Sequence, residues 1–527
     1  MRILRPMRSP RSLRAVALAG MALAGVALPL RVAVADELMA PDQGAAPATL
    51  SQALVEAYNN NATLQEQRAV LRQADENVPT ALAGWMPTVS LSGTYGRTSE
   101  TLSQQQRILG LPPTTQNTAE NFNQSIGQAT ATEQIYSGGK TVAQTRQAKN
   151  GVYAARAQLL ATEQAVFLNV VNAYVSVVTD AQVLALDLSD EDVLRQQLKD
   201  TQTQFNVGEI TMTSVAQAQA SLAQSIEQAQ VAEGNLRIAR ENFRQLVGVY
   251  PADRLAPPQP LMLPVDSKDA TGAAAVANNP TVIAAEFTDA ASKDAVNVAF
   301  AVLLPQVQLQ ASAFHEVGQS YAGSQLKGGS FIGQLTVPLW QGGSEYAAIR
   351  QARAKEQQSF AAILDAQRTA YYQGTQAWVA ITSTRAAIVS TNAEIKANAI
   401  ALDGTEREEL VGTRTTLDVL NAQQLLLNSQ VQQVQNIGTL VNNTYTVASA
   451  IGRLTVKDLG LPVQEYDDLK YYNAVKHAAF GTGEGADRRA GIAPDGALLD
   501  AAPDGALLDA APSPADPGSA AAPVAGP

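Results

Sequence analysis

The chain has 527 residues, enough for several ordinary domains, yet only 5% are aromatic and 16% charged. Such a composition is short of the bulky side chains that a thick core needs. It suits thin packing layers: helix pairs that meet through small residues, or a barrel with one apolar face. The net charge of −11 argues against a nucleic-acid partner, and the absence of cysteine excludes disulfides, thiol chemistry, thiolate metal sites and an acylated N-terminal cysteine.

Residues 1–35 read as a secretory signal, with Arg2, Arg5, Arg8, Arg11 and Arg14 before the apolar stretch Ala15 to Leu30 and a small-x-small site at Ala33-Val34-Ala35. A membrane anchor is the competing reading, weakened by the short apolar stretch and by Pro29. Loss of the signal removes six arginines and no acids, taking the net charge from −11 to −17. Such an excess of carboxylates, if it lines a pore, favours cations. Beyond the signal no apolar run reaches about 18 residues, the length of a spanning helix, so any crossing falls to strands.

The remainder is duplicated, with a first repeat at 36–260 and a second at 261–453. "IYSGGKTVAQTRQAK" from Ile135 aligns with "LWQGGSEYAAIRQAR" from Leu339 at an offset of 204, which also carries Tyr174 onto Trp378, Gly208 onto Gly412 and Gly248 onto Gly452. Upstream, "NNATL" and "WMPTVSLSGTY" align with "NNPTV" and "LLPQVQLQASA" at an offset of 218, leaving 14 extra residues in the first copy. These are placed in a longer loop around Gln104 to Thr118.

In chain order, the first repeat opens with a helix from about Ala62 to Trp85, which Pro79 should kink or interrupt. A strand at about 88–97 follows, alternating Val89, Leu91, Gly93 and Tyr95 with Thr88, Ser90, Ser92 and Thr94. The next strand, at about 124–136, has small residues where apolar ones are wanted. From 140 to 248 the chain lacks proline and is rich in Ala, Gln, Leu and Glu, which predicts a long helical hairpin. One arm, Lys140 to Phe205, spans roughly 100 Å at ~1.5 Å per residue. The second repeat follows the same scheme, with a helix, strands at about 305–314 and 329–340 and a hairpin at 344–452. Helices this long pack side by side as coiled coils.

Each clear strand has the length and two-faced pattern of a membrane-crossing strand, and Tyr136 and Trp340, at matching ends, suit an interfacial aromatic girdle. A half-buried sheet alternates in the same way. Four strands cannot close a barrel, and open edges are forbidden in lipid, so two, three or four protomers must combine to give 8, 12 or 16 strands.

At the hairpin tips, "VGEITMTSVAQAQ" from Val207 and "VGTRTTLDVLNAQ" from Val411 read as turns. Gly208 and Gly412 are expected as left-handed C-caps, Thr211 and Thr415 as N-caps of the return helices, and Asp418 as the far member of a capping box. The segment "SGGKT" at Ser137 lacks the first glycine of a phosphate loop, and its repeat carries Ser344 where Lys140 stands. His315 and His477, the two histidines, are far apart, and no cluster of nucleophile, base or metal ligand appears. No cofactor is expected and the chain does not read as an enzyme. Residues 454–480 form a distinct C-terminal segment. The tail at 481–527, where "PDGALLDAA" occurs twice, is expected to be disordered.

The duplicated junction "TVPLWQGG" and "TEQIYSGG", the tip pair, and "LTVKDLGLPVQEYDDLKYYNAV" from Leu454 together resemble the TolC-like outer-membrane efflux proteins. The resemblance spans roughly residues 50 to 475. It implies an α+β membrane protein: a homotrimeric 12-stranded transmembrane β-barrel, four strands per protomer, continued by a periplasmic α-helical coiled-coil barrel, with 454–480 in an equatorial region. It implies the exit duct of a tripartite efflux or type I secretion system, bound to outer-membrane lipid, meeting a periplasmic adaptor at its tips and, through it, an inner-membrane ABC or RND transporter. A periplasmic adaptor or coiled-coil scaffold without its own pore is the alternative. The family's gate maps onto Thr213, Ser214, Glu409, Arg414, Asp418 and Asn421, with Gly208, Thr211, Gly412 and Thr415 in the docking turns. Ser214, Glu409 and Asn421 depart from the residues common there, so Arg414 is expected to pair with Glu409 or Asp418, and Asp418 alone to supply one charged ring.

Overall fold

A computed structural model describes residues 46–107, 109–110, 112–318, 323–482 and 485, all within the compact unit Ala46–Pro527. The expected signal at 1–35 and nearly all of the tail at 481–527 lie outside the described residues.

The first repeat begins with α1 (Leu50–Asn60), α2 (Ala62–Asp75) and α3 (Asn77–Leu82), with a single 3-10 turn at Ala83–Trp85. Where one helix from Ala62 was expected, the chain breaks at Glu76, three residues before Pro79. The proline ring clashes with the carbonyl four residues back, here that of Asp75, so the helical ladder stops there and Pro79 sits in the first turn of α3. Next come β1 (Thr88–Gln106), β2 (Thr114–Ser137), α4 (Lys140–Asn206) and α5 (Met212–Val247). The second repeat supplies α6 (Lys268–Asn278), α7 (Pro280–Ala301), β3 (Gln306–Val317), β4 (Gln325–Thr336), α8 (Ser344–Leu410) and α9 (Thr416–Ala450), and α10 (Lys470–Val475) closes the described chain.

The two copies use the same joints. Thr49 and Ser267 each cap the following helix through a side-chain oxygen. Asn61 and Asn279 cap α2 and α7, and each also donates its amide to the end of a return helix, Asn61 to the Leu246 carbonyl at 2.8 Å and Asn279 to that of Ala450 at 3.1 Å. One side chain thereby satisfies an orphan N–H of one helix and an orphan C=O of another.

The four strands form one antiparallel meander in the order β1-β2-β3-β4. Residues opposite one another share a face, so the register places Val89, Ala131, Ala311 and Phe331 in one row and Leu91, Ala129 and Ala313 in the next. The other face carries rows such as Ser90, Thr130, Ser312 and Ser330, the last two bonded at 2.8 Å. The small residues of β2 and β3 therefore lie within the apolar face, between the large side chains of β1 and β4. A bulge between Gln134 and Tyr136 shifts the register by one, so Tyr136 pairs with Val307 on the apolar face. Val89, Leu91, Phe331 and Leu335 are all well exposed in the protomer.

Three of the strands differ clearly in extent from expectation. β1 and β2 run nine or more residues further, and Gln104–Gln106 and Thr114–Thr118 of the expected loop are paired strand. Polar Thr, Ser, Asn and Gln alternate poorly there, which hid the strand pairing from a pattern search. β4 ends at Thr336, leaving Trp340 in the irregular approach to α8.

Below the sheet, α4 pairs with α5 and α8 with α9 along their lengths, while α1, α2, α3 and α7 pack on α4. One 18-residue window of α4 is apolar enough by composition to cross a membrane, which a search for unbroken apolar runs missed. The buried apolar residues of α4, Phe167, Val170, Val171 and Tyr174, meet Leu54, Tyr58, Leu71, Phe243 and Val247. Each such side chain contributes ~1.5–3 kcal/mol when fully buried. Tyr174 also donates to the carbonyl of Ala256 at 2.7 Å, tying the loop after α5 to this core.

The C-terminal segment closes the same core. Leu454 and Val456 are buried in it, Tyr466 N–H donates to the Tyr58 hydroxyl at 2.9 Å, and Asp468 pairs with Arg156 at 3.3 Å. Arg68, buried, lies over the rings of Tyr58 and Tyr466 at 4.5 and 5.1 Å. Two carboxyls at this seam are held up by burial. Glu163 is pushed up to about 7 although it accepts from Val456 N–H. Asp75 is pushed up to about 7, neither oxygen having a hydrogen-bond partner among the described residues.

A carboxyl with a raised folded pKa binds its proton more tightly folded than unfolded, so it penalises folding most above that pKa and less as pH falls. Asp75→Asn should therefore raise the thermal midpoint at pH 8, and the gap to wild type should shrink by pH 5; a gap that is constant or grows on acidification would contradict the assignment.

Candidate functional site

Both hairpin tips are built by the same backbone device. At the end of α4, Gly208 takes φ +83°, its N–H donates to the Phe205 carbonyl at 2.9 Å, and Glu209 N–H donates to Gln204 at 3.0 Å. At the end of α8, Gly412 takes φ +79°, with Gly412 N–H to Glu409 at 2.8 Å and Thr413 N–H to Glu408 at 3.0 Å. This pair of bonds is a Schellman closure, which needs a left-handed residue at the position that both glycines fill.

The return helices start differently. Thr415 accepts from Asp418 N–H at 3.3 Å, and the Asp418 carboxylate accepts from Thr415 N–H at 3.0 Å and from its hydroxyl at 2.9 Å, a complete capping box. Thr211 occupies the matching N-cap position with extended backbone, but its side chain makes no cap bond. The bonds from Thr415, backbone first, hold the Asp418 carboxyl below the usual carboxylate range, and the charge of Arg414 adds to this.

Arg414 does not bond Glu409. Its Nε donates to Glu408 Oε2 at 2.9 Å, and this hydrogen bond and charge raise the guanidinium pKa, with a smaller contribution from Asp418. The helical period decides the partner. Glu408 and Glu409 stand about 100° apart around α8, and the Schellman turn returns Arg414 past the face that carries Glu408. Sequence matching centred on Glu409 missed Glu408. The signal available was the run of three acids and one arginine from Glu406 to Glu409, which offers Arg414 several candidate partners.

Of the other expected gate residues, Thr213 and Asn421 are exposed and Ser214 is half-buried, and among the described residues no hydrogen bond joins them to Arg414 or Asp418. The tips expose apolar side chains: Val207, Met212, Leu410 and Val411 are each more than half exposed. At the opposite end of the hairpins, Tyr136 is 48% and Trp340 77% exposed. Both flank the double glycines that lead from sheet to helix, at Gly138–Gly139 and Gly342–Gly343. Among the described residues no group of acidic, histidine or cysteine side chains is arranged to hold a metal ion.

The pattern described as outer membrane efflux protein matches residues 53–249 and 273–453, one segment in each repeat. The outer membrane efflux protein BepC of Brucella suis is 32% identical over 446 residues, covering 83% of this chain and 93% of that protein. Among solved structures, the CmeC outer membrane channel of Campylobacter jejuni aligns with a TM-score of 0.66 at 18% identity, covering 77% of this chain and 85% of that one. The open state of the MtrE outer membrane channel of Neisseria gonorrhoeae aligns with a TM-score of 0.63 at 16% identity, covering 78% and 90%. At such identities these structures speak for the shared fold.

The unequal caps make a local test. Thr415→Ala should weaken the start of α9 by ~1 kcal/mol, read as about fivefold faster amide exchange over Thr416 to Asp418. Thr211→Ala should leave exchange at the start of α5 unchanged, and equal effects at both tips would contradict the asymmetry.

Proposed function

The chain belongs to the outer membrane efflux protein family, and on that premise we propose that it is the passive exit duct of a tripartite efflux or type I secretion assembly, gated at its helical tips. The observation that carries the reading is a four-stranded sheet with one apolar face and two unpaired edges, continued directly into two 67-residue helices. In lipid those edges must be paired, and the β4 edge of one copy is free to meet the β1 edge of the next. Three copies give twelve strands, the number that the family resemblance implies, and a homotrimer follows. The apolar rows then face lipid and the Ser, Thr and Gln rows face water. Tyr136 and Trp340 take the interfacial positions where amphipathic rings settle.

The hairpins continue the barrel as a periplasmic tunnel. Helices of 67 residues are roughly 100 Å long. The apolar side chains at Val207, Met212, Leu410 and Val411 offer a docking surface to a periplasmic adaptor, through which an inner-membrane ABC or RND transporter supplies the energy. With no catalytic constellation in the sequence, the duct itself needs only to open and close. Arg414 and Asp418 are the gating candidates, and Glu408 joins them as the partner of Arg414. Asp418, its carboxyl held low by its bonds to Thr415, supplies a carboxylate ring when three tips meet at the constriction.

Two measurements bear on this reading. Cell fractionation should find a heat-modifiable trimer in outer membranes, whereas a soluble periplasmic monomer would overturn the duct. In planar bilayers Asp418→Ala should lower cation selectivity, and Arg414→Ala should raise conductance by freeing Glu408; unchanged values in both variants would remove these residues from the gate.

A further inference from the structure

The bonds described at the tips, between Arg414 and Glu408 and between Thr415 and Asp418, stay within the second hairpin. They shape one tip but do not hold it to the other. Among the described residues, one side-chain hydrogen bond crosses from the second hairpin to the first: Gln423 Nε2 donates to Asp190 Oδ1 at 3.0 Å. The other oxygen of the same carboxylate accepts from Ser225 Oγ at 3.2 Å. A single acidic side chain on α4 therefore binds α5 and α9 at once.

The site is dry. Asp190 is 4% exposed and Ser225 2%. Asp187, one turn earlier on α4, is also buried, and burial followed by the nearby Asp190 pushes its carboxyl up. A hydrogen bond to a carboxylate removed from water is stronger than one at the surface, and leaving that carboxylate unpartnered is unfavourable. Gln423 lies two turns into α9 from its tip, so a swing of the second hairpin away from the first must break its bond.

We propose that Asp190 is a positioning residue for the gate: its carboxylate clasps α9 to α4 and α5 and sets the closed arrangement of the two hairpins. The inference rests on the reading of the chain as a channel gated at its tips. It assigns the hydrogen bond between hairpins to a buried residue outside the tip turns, while among the described residues Ser214, Glu409 and Asn421 form no hydrogen bond with Arg414.

The amide and carboxylate are close in shape, so donor and acceptor can be exchanged. In full-length protein reconstituted in planar bilayers, Gln423→Glu sets two carboxylates against each other. The open fraction should rise about tenfold or more, the factor that corresponds to losing a hydrogen bond to a charged group. Adding Asp190→Asn in the same chain restores a bond with its direction reversed and should return the open fraction to the wild-type level. Should Gln423→Glu fail to assemble, Gln423→Ala, which leaves Asp190 its bond to Ser225, should shift the open fraction the same way. Asn398→Ala, which removes a bond to Leu425 inside the second hairpin, should leave it unchanged and so separates the clasp from general loosening. If the wild type conducts while neither Gln423 variant differs from it, or if the exchange variant stays open, the clasp is overturned and the channel reading stands. If the wild type forms no pores, the channel reading fails and the clasp fails with it.

Discussion

A backbone N–H or C=O that faces hydrocarbon without a partner costs several kcal/mol. Much of this protein follows from that constraint. Among the described residues its sheet has four strands in a simple meander, so one edge of β1 and one of β4 have no strand partner there. The faces are already sorted: apolar rows run unbroken from Val89 across Ala131 and Ala311 to Phe331. Such a sheet exposes Leu91 and Leu335 in the protomer, and on the proposed reading copies of the chain pair its edges while lipid covers its apolar face.

Duplication supplies the rest of the architecture at little informational expense. Each repeat gives two strands and one long hairpin, and the joints are copied as well: Thr49 and Ser267 start short helices, Asn61 and Asn279 tie the next helix to the end of a return arm. The copies differ where their surroundings do. Around Tyr174 the first repeat gains a large core from α1, α2 and the C-terminal segment, while the second gathers a smaller one around Ile381 and Val447. The seam with the C-terminal segment carries Arg68, Arg156, Glu163 and Asp75 close together, and burial there sets two carboxyls near neutrality.

The tips show how one backbone solution carries different side-chain chemistry. Both end in the same glycine-dependent closure, yet only the second begins its return helix with a full capping box, and only the second holds an arginine. Charge thus concentrates on one tip per protomer. Among the described residues, the side-chain hydrogen bond between hairpins lies elsewhere, on a buried carboxylate that three helices share. Local turn chemistry and coupling between hairpins are therefore separable in this chain.

What the sequence by itself determined is whatever depends on neighbours within a few residues or on internal repetition: the long helices, the tip glycines, the alternating strands and the twofold scheme. Gly208 and Gly412 were legible because a left-handed cap favours one residue type, and Val89 to Tyr95 because alternation with period two needs no partner to be seen. Only the tertiary structure decided what depends on register and on which helix faces which. The β1–β2 ribbon past Tyr95 is held by pairing and not by pattern, and Tyr136 reaches the apolar face through a bulge. Arg414 chooses Glu408 over Glu409 by its angle around α8. Asp190, within the acidic run "DLSDED", reads as solvated, yet it follows Asp187 and precedes Leu194 on the buried stripe of α4. A carboxylate is placed inside only when donors from other helices meet it there, and nothing near it in the chain announces Ser225 or Gln423.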